Sequence, residues 1–368
     1  MIVTLIIFIA VLSLLVFVHE LGHFLVAKWN GVKVEEFGFG FPPRVFGWKK
    51  GETTYTVNWI PLGGFVKIKG EDGEQSREKD SFGHKTFWQR LGILSAGVLM
   101  NLLLAWVLLG VGFLFGLPQI IDGLPSSARV SQPVVQIASV LPGAPAAQAE
   151  LQSGDAIVSM NVQTITDSET FRRLINQKGA ANELVVRRKN ELKMVSIVAE
   201  PLQETGTIGL GVALVKTGLV SYPWYRAPYE GLCMVGRTLQ EIFSTLYNFV
   251  YGLFSPQRSA VEFSGPVGIA ILTSEVVKMG FRYLLQFAAV LSINLAAINI
   301  LPIPALDGGR IAFLIFERLR GKKIAKEIEA LTHNVGFMLL MLLVLVVTYF
   351  DVVRYSDRLW RAVTGLLG

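Results

Sequence analysis

Residues 11–27, VLSLLVFVHELGHFLVA, form an apolar run interrupted by three ionisable side chains, His19, Glu20 and His23. About 20 apolar residues cross the hydrocarbon of a bilayer as a helix, and no charge appears from Met1 to Val18. Four helical residues advance roughly 400° and 6 Å, so His19 and His23 share a face and both reach one metal ion. Neutral imidazole suits zinc, and Glu20, one residue along, is placed to take a proton from water beside such an ion. Ionisable groups at membrane depth are costly unless they are paired or bind something, which makes them functional by default. Mutual pairing, or an ion path, is the plainer alternative.

The composition agrees with a membrane protein. Hydrophobic residues make up 52% of the 368 positions and charged residues 17%, against about 25% charged in soluble domains. Three further stretches are apolar enough to span: Leu91 to Ile121, Tyr283 to Leu306 and, at the short limit, Val335 to Phe350. The first span lacks the basic start and small-residue cleavage site of a signal peptide. Segment 28–90 carries eleven Lys and Arg and segment 310–334 carries six, so both are expected in the cytoplasm. The N-terminus and segment 118–228 are then external. Arg354, Arg358 and Arg361 in the tail run against this rule. The net charge of +6 is read as a topology signal, not a nucleic-acid surface. A single cysteine, Cys233, excludes an internal disulfide, a Cys-rich zinc finger and a thiol redox pair.

Two histidines leave a catalytic metal one protein ligand short. Asp307 is the best third candidate, in Asn299-Ile-Leu-Pro-Ile-Pro-Ala-Leu-Asp307-Gly-Gly, where it ends an otherwise uncharged span. Spans one and three both run from outside to inside. His19, His23 and Asp307 all lie toward the inner ends, so they can meet at one depth. A helix-end aspartate reaching water is the alternative.

Elsewhere the patterns are those of a hairpin, an insert and an amphipathic helix. In the 32–69 loop, Tyr55, Val57 and Trp59 alternate with Thr54, Thr56 and Asn58, which reads as strands with Lys50-Gly51 in the turn. Its many aromatic residues suit a loop tucked into protein at membrane depth. Within 130–215, strands are expected at Val134 to Val140 and Glu183 to Arg188, and short helices at Pro145 to Leu151 and Ser168 to Asn176. From Ala227 to Phe254 an apolar stripe predicts a helix lying on the outer membrane surface. His84 and His333 read as surface histidines in loops.

The run from Leu141 to Ile157, containing Pro142-Gly143-Ala144-Pro145 and Ser153-Gly154-Asp155, resembles a bacterial PDZ signature. Glu150 stands where that family usually has glycine, and Asn161-Val162 replaces its Asn-Gly turn. Together, His19-Glu20-Leu21-Gly22-His23 and Asn294…Asn299…Pro302-Ile-Pro304-Ala-Leu-Asp307 resemble the site-2 protease family. These are zinc proteases that cut substrates within the membrane. A PDZ insert between spans two and three matches the RseP-like bacterial branch, although better-known members carry two PDZ domains and this chain has room for one. Gly97-Val-Leu-Met-Asn101 resembles the family's GPxxN, with Val98 replacing proline, and Ser264-Gly-Pro-Val-Gly268 resembles its GPxG. The resemblance implies that His19, His23 and Asp307 bind Zn²⁺ and that Glu20 is the base. It also implies that the 32–69 hairpin is a membrane-reentrant β-loop. Asn294, Asn299, Pro302 and Pro304 become candidate substrate-binding residues. A substrate helix must unwind, and the two asparagines offer amide partners to its extended backbone, with helix–helix glue as the alternative. The prolines would break the third helix before Asp307 and free carbonyls near the metal.

The expected fold is therefore an α-helical polytopic membrane protein of about four transmembrane helices, with a membrane-associated β-hairpin and an inserted α+β PDZ domain. The expected segments are 1–117, 118–226 (PDZ core 130–215), 227–282 and 283–368. The expected function is intramembrane cleavage of single-span substrates, such as anti-sigma factors or signal-peptide remnants, in the bacterial inner membrane. Its partners would be those substrates, the lipid bilayer and a peptide or protein ligand of the PDZ groove. A non-catalytic scaffold recruiting partners through the PDZ domain is the rival, and the complete ligand set argues against it. A transporter would need a continuous polar path, which the nearly charge-free spans lack.

Overall fold

The structure is a computed structural model that describes residues 2–71, 78–175, 181–188, 191–201, 208–253, 265–322 and 324–356. The chain divides into two compact units, one of residues 1–110 and 228–368 and the other Val111–Ala227. Among the described residues, four helices are long and apolar enough to cross a membrane.

In the first unit, α1 (Ile2–Trp29) leads into a long hairpin of β1 (Val34–Lys50) and β2 (Thr53–Ile68). Lys50 pairs with Thr53 across the turn, and the two strands fold back on themselves: residues 36–39 pair with 54–57 on one edge and with 64–67 on the other. Its base is buried: Phe37 packs on Phe17 and Phe24, and Val34 and Ile68 join a core with Ala27, Ile93 and Leu314. The distal half is not tucked into protein as expected, since Phe46, Trp48 and Trp59 are exposed, Trp59 by 70%. The β2 edge runs along α1, where Ser13 Oγ donates to the Pro61 carbonyl at 2.5 Å. A Cβ on Gly63 would press on Val16.

Helix α2 (Phe87–Phe115) starts earlier and stops earlier than expected, and Leu117–Ile120 is strand β3, not span. The expected third span is two helices. Between them, α7 (Phe281–Asn299) stops at Asn299, an irregular segment holds Pro302 and Pro304, and α8 (Asp307–Arg320) starts at the aspartate. The prolines cannot donate backbone hydrogen bonds, so the apolar run continues where the helix does not. The last span is also longer than its uncharged stretch: α9 is Lys326–Arg354.

Among the described residues, two helices lie between residue 226 and α7. The amphipathic stretch forms α5 (Ala227–Leu253), while Phe254 lies outside the described residues. Helix α6 (Pro266–Met279) was not expected. The motif at 265–268 explains it: the Gly268 N–H donates to Asp351 Oδ2 at 2.7 Å, and a Cβ on Gly265 would meet that carboxylate and Val347. A buried aspartate of α9 thus satisfies the free donors at the start of α6. Ser264 and the tail arginines Arg358 and Arg361 lie outside the described residues.

The second unit is a seven-stranded sheet with two short helices. Its elements are β3, β4 (Arg129–Val140), α3 (Pro145–Gln148), β5 (Ala156–Met160), β6 (Gln163–Thr164), α4 (Ser168–Ile175), β7 (Ala181–Arg188), β8 (Glu191–Val198) and β11 (Val212–Ser221). Strands β9 (Glu200–Pro201) and β10 (Ile208–Gly209) form a separate pair. The sheet order is β3-β11-β4-β5-β7-β8, with β6 on β5. Alternate residues Leu184 and Val186 face a core with Val135, Ile137, Met160 and Phe171. Helix α3 is shorter than expected and α4 ends at Ile175, Asn176 lying outside the described residues. Asp155 follows the Gly154 turn and is buried in a two-pronged pair with Arg188, both bonds 2.7 Å.

Candidate metal centre

Helix α1 carries His19 and His23 one turn apart, and both are 6% exposed. Their Nε2 atoms are 3.2 Å apart. Asp307 Oδ2, from the first turn of α8, lies 3.0 Å from His19 Nε2 and 3.3 Å from His23 Nε2. Ligand atoms 2.0–2.1 Å from a tetrahedral zinc stand about 3.3 Å from one another. The triangle is the size that such an ion requires.

Hydrogen bonding around the triangle points the same way. His23 Nδ1 is 2.8 Å from the Ile93 carbonyl, which only accepts. Nδ1 therefore carries the proton, and Nε2 turns a lone pair to the centre. On the far side of His19, Nδ1 lies 3.2 Å from Asn101 Nδ2, while Asn101 Oδ1 is buried without a partner. The two ends of an amide have the same shape. Turned over, Asn101 Oδ1 accepts from His19 Nδ1–H, and the second Nε2 also presents a lone pair. Asp307 Oδ2, though close to both rings, is buried with no donor directed at it among the described residues. Three electron-rich atoms converging within 3.3 Å of one another fit a cation.

Helix α2 leaves the space. A Cβ on Gly97 would stand 2.3 Å from His23 Nε2 and 2.7 Å from His19 Nε2. Gly22 of α1 faces the Ala96 carbonyl, where a Cβ would come within 2.4 Å. These glycines let α1 and α2 approach closely enough for α2 to close one side of the site. Asn101, wholly buried, also receives a 2.8 Å hydrogen bond on its carbonyl from Ser292 of α7.

Glu20, half-buried, sits beside the hairpin, its Cγ 3.8 Å from where a Gly64 Cβ would stand. Asn299, the last residue of α7, brings its amide Nδ2 to 3.4 Å from His19 Nε2. Asn294 is half-buried more than one turn earlier, and no hydrogen bond joins it to the triangle among the described residues. Pro302 is exposed and Pro304 half-buried in the break before α8. In that break, the Cβ positions of Gly308 and Gly309 fall within 2.3 Å of the Ile300, Leu301 and Ile303 carbonyls. The Gly-Gly after Asp307 therefore lets the segment fold over the first turn of α8.

Sequence reasoning singled out the Gly97–Asn101 segment by resemblance but missed three things: the close approach of Gly97 to the imidazoles, the contact between Asn101 and His19, and His333. His84 lies in a short 3₁₀ turn, Phe82–His84. His333, expected in a surface loop, is on α9 and accepts a 3.0 Å hydrogen bond at Nδ1 from the Ala305 N–H.

The model of peptidase family M50 matches residues 7–343. A Clostridium perfringens protein with a zinc-metalloprotease name is 36% identical over 345 residues, covering 93% of this chain and 96% of its own. The zinc metalloprotease RasP of Bacillus licheniformis is 32% identical over 435 residues, covering 95% and 99%. The regulator of sigma-W protease RasP of Bacillus subtilis is 31% identical over 436 residues, covering 95% and 98%. Among solved structures, the PDZ domain of an SdrC-like protein from Listeria monocytogenes is 25% identical over 23% of this chain and 92% of that one, with a TM-score of 0.21. With its membrane helices and the family match over most of its length, this chain belongs to peptidase family M50, the site-2 proteases.

Proposed function

We propose that this protein is a zinc-dependent endopeptidase that cuts the membrane-spanning segments of single-span substrates inside the bilayer. The observation that carries the reading is the convergence of His19 Nε2, His23 Nε2 and Asp307 Oδ2 at 3.0–3.3 Å, with two of the three on a helix apolar enough to span. Zinc, when bound, acidifies water and polarises a peptide carbonyl. Glu20 accepts the proton from the attacking water and delivers it to the leaving amine. Asn299 offers an amide N–H toward the oxygen that gains charge, a donor fixed in advance at the end of α7.

A helical substrate has its carbonyls already hydrogen-bonded and shielded, so it must unwind before attack. The outer edges of the β1–β2 sheet, at 44–50 and 64–68, have no strand partner among the described residues and can take the unwound segment by strand addition. The approach of Gly64 to Glu20 supports that route. Asn294, Pro302 and Pro304 flank the same path. The orientation that follows from the basic segments puts the N-terminus and the PDZ-like insert outside a bacterial cytoplasmic membrane and the metal toward the inner side. Anti-sigma factors and signal-peptide remnants are the substrate classes that this architecture suits, with the insert gating access or binding a peptide.

The test uses full-length protein in detergent, with metal content measured and cleavage of single-span substrates followed with and without a chelator. Zinc should be bound, chelation should stop cleavage, and Glu20→Gln should keep the metal but lose activity by about 10²–10⁴-fold. Wild-type protein that binds no metal, or a Glu20→Gln variant that still cuts, overturns the reading. Function that survives loss of the histidines would favour the scaffold.

A further inference from the structure

We propose that His333 is a positioning residue for the metal centre: from α9 it holds the Ala305 backbone in the break that aims Asp307. The inference rests on the metal reading given above. Its basis is the geometry of residues 300–306. Within that segment, the N–H groups of Leu301, Ile303 and Leu306 find local carbonyls, at 3.1, 2.7 and 3.2 Å. Pro302 and Pro304 have no N–H to give. Ala305 does, and its N–H goes to a side chain on another helix, His333 Nδ1, at 3.0 Å.

Ala305 also has φ +77°. That is the left-handed region, which costs a residue with a Cβ about 1–2 kcal/mol and persists only where its surroundings impose it. Two contacts from one face of α9 do so. His333 takes the N–H, and Gly336, three residues on, lies so close to Pro304 that a Cβ there would fall 2.4 Å from the proline Cβ. With Nδ1 accepting, the neutral ring carries its proton on Nε2, which is buried without a partner among the described residues. The ring is oriented by the Ala305 bond and by packing on Phe313, 5.5 Å between centroids. Asp307 follows two residues after Ala305. Its carboxylate reaches His19 and His23 only while the chain turns at that left-handed residue.

The experiment measures zinc affinity of the full-length protein in detergent by competition with a chromophoric chelator, with thermal unfolding measured alongside. Removing an outer partner of a metal ligand typically lowers affinity about 10–100-fold, and His333→Ala should fall in that range. His333→Asn places an amide oxygen near the Nδ1 position and should restore most of the affinity. His333→Gln places its oxygen farther out and should not. Ala305→Gly, added to His333→Ala, should recover part of the loss, because glycine adopts positive φ without the penalty. Wild-type affinity in His333→Ala, or equal losses in the Asn and Gln variants, overturns the proposal. Should His333→Ala fail to fold, the Asn and Gln pair decides alone. A wild-type chain that binds no zinc would refute the metal reading instead, so the two failures are distinct.

Discussion

In the insert, the core is built of Val135, Ile137, Met160, Phe171, Leu184 and Val186. In the membrane unit, apolar residues such as Ile93 and Ile293 are buried together with the polar His19, His23, Asn101 and Ser292, and glycines sit at close helix contacts. Water drives the first arrangement, at about 25 cal/mol per Å² of apolar surface buried. Lipid tails are as apolar as leucine, so burying apolar surface between membrane helices gains little. Small residues and polar links hold such helices together instead. The insert uses its polar groups to fix turns. The membrane unit brings His19, His23, Asn101 and Asp307 together, where a cation can use them.

The largest test of this contrast is Gly97→Ala. A methyl in the insert core would cause ordinary overpacking, but at position 97 it occupies the space between the two Nε2 atoms. Zinc affinity should fall more than about a thousandfold, or about 4 kcal/mol, as read by chelator competition. Affinity within tenfold of wild type would mean that α2 does not bound the site.

In the insert, the nearest counterpart is the pair of Asp155 and Arg188. Burial opposes the charge on Asp155, yet the bonds from Arg188 and from the Gln152 N–H (2.9 Å) outweigh it and hold the carboxyl below the usual carboxylate range. A lowered folded-state pKa contributes stability above the unfolded value, near 3.9, and that stability is lost as pH falls through the folded value. Asp155→Asn should lower the protection of β5 and β7 amides against hydrogen exchange by about 2–3 kcal/mol at neutral pH. It should also flatten the decline below about pH 4. Unchanged protection would make the pair ornamental.

Asn101→Leu tests the polar link between α2 and His19. It removes the partner of His19 Nδ1 at similar volume, and zinc affinity should fall about 10–100-fold with little change in thermal unfolding. A large loss of stability at constant affinity would show that Asn101 only ties helices together.

The smallest effect is a gain. Both PDZ departures noted in the sequence sit at left-handed backbone, Glu150 at φ +55° and Val162 at φ +69°. Valine is among the residues least suited to it, and Val162, 93% exposed, has no packing to offset the strain. Val162→Gly should stabilise the insert by about 1 kcal/mol, seen as added protection at β5 and β6. The same change at a metal-site contact would bring no such gain.

Hydropathy and spacing already place four spans, the HExxH pair, the hairpin turn at Lys50-Gly51 and the strands around 134–140 and 183–188. Each is a local pattern with a period of 3.6 or 2, or a run of fixed length. Asp307 was visible as the charge ending an uncharged stretch, but its setting was not. A helix of apolar residues and an apolar non-helical segment look alike in hydropathy, so the stop at Asn299 stayed hidden. Asp351 shortened the last span on paper because its charge is answered by α6, far away in sequence.

The amino-acid sequence by itself determined which segments are apolar enough to enter lipid and which side chains carry metal chemistry, because both depend on residue type and short-range spacing. Only the tertiary structure decided that α2 leaves room at Gly97, that Asn101 and Ile93 orient the two imidazoles, and that α9 reaches Ala305 through His333. Those are contacts between residues up to 82 positions apart. Their strength depends on distances of a few tenths of an ångström, which no local pattern encodes.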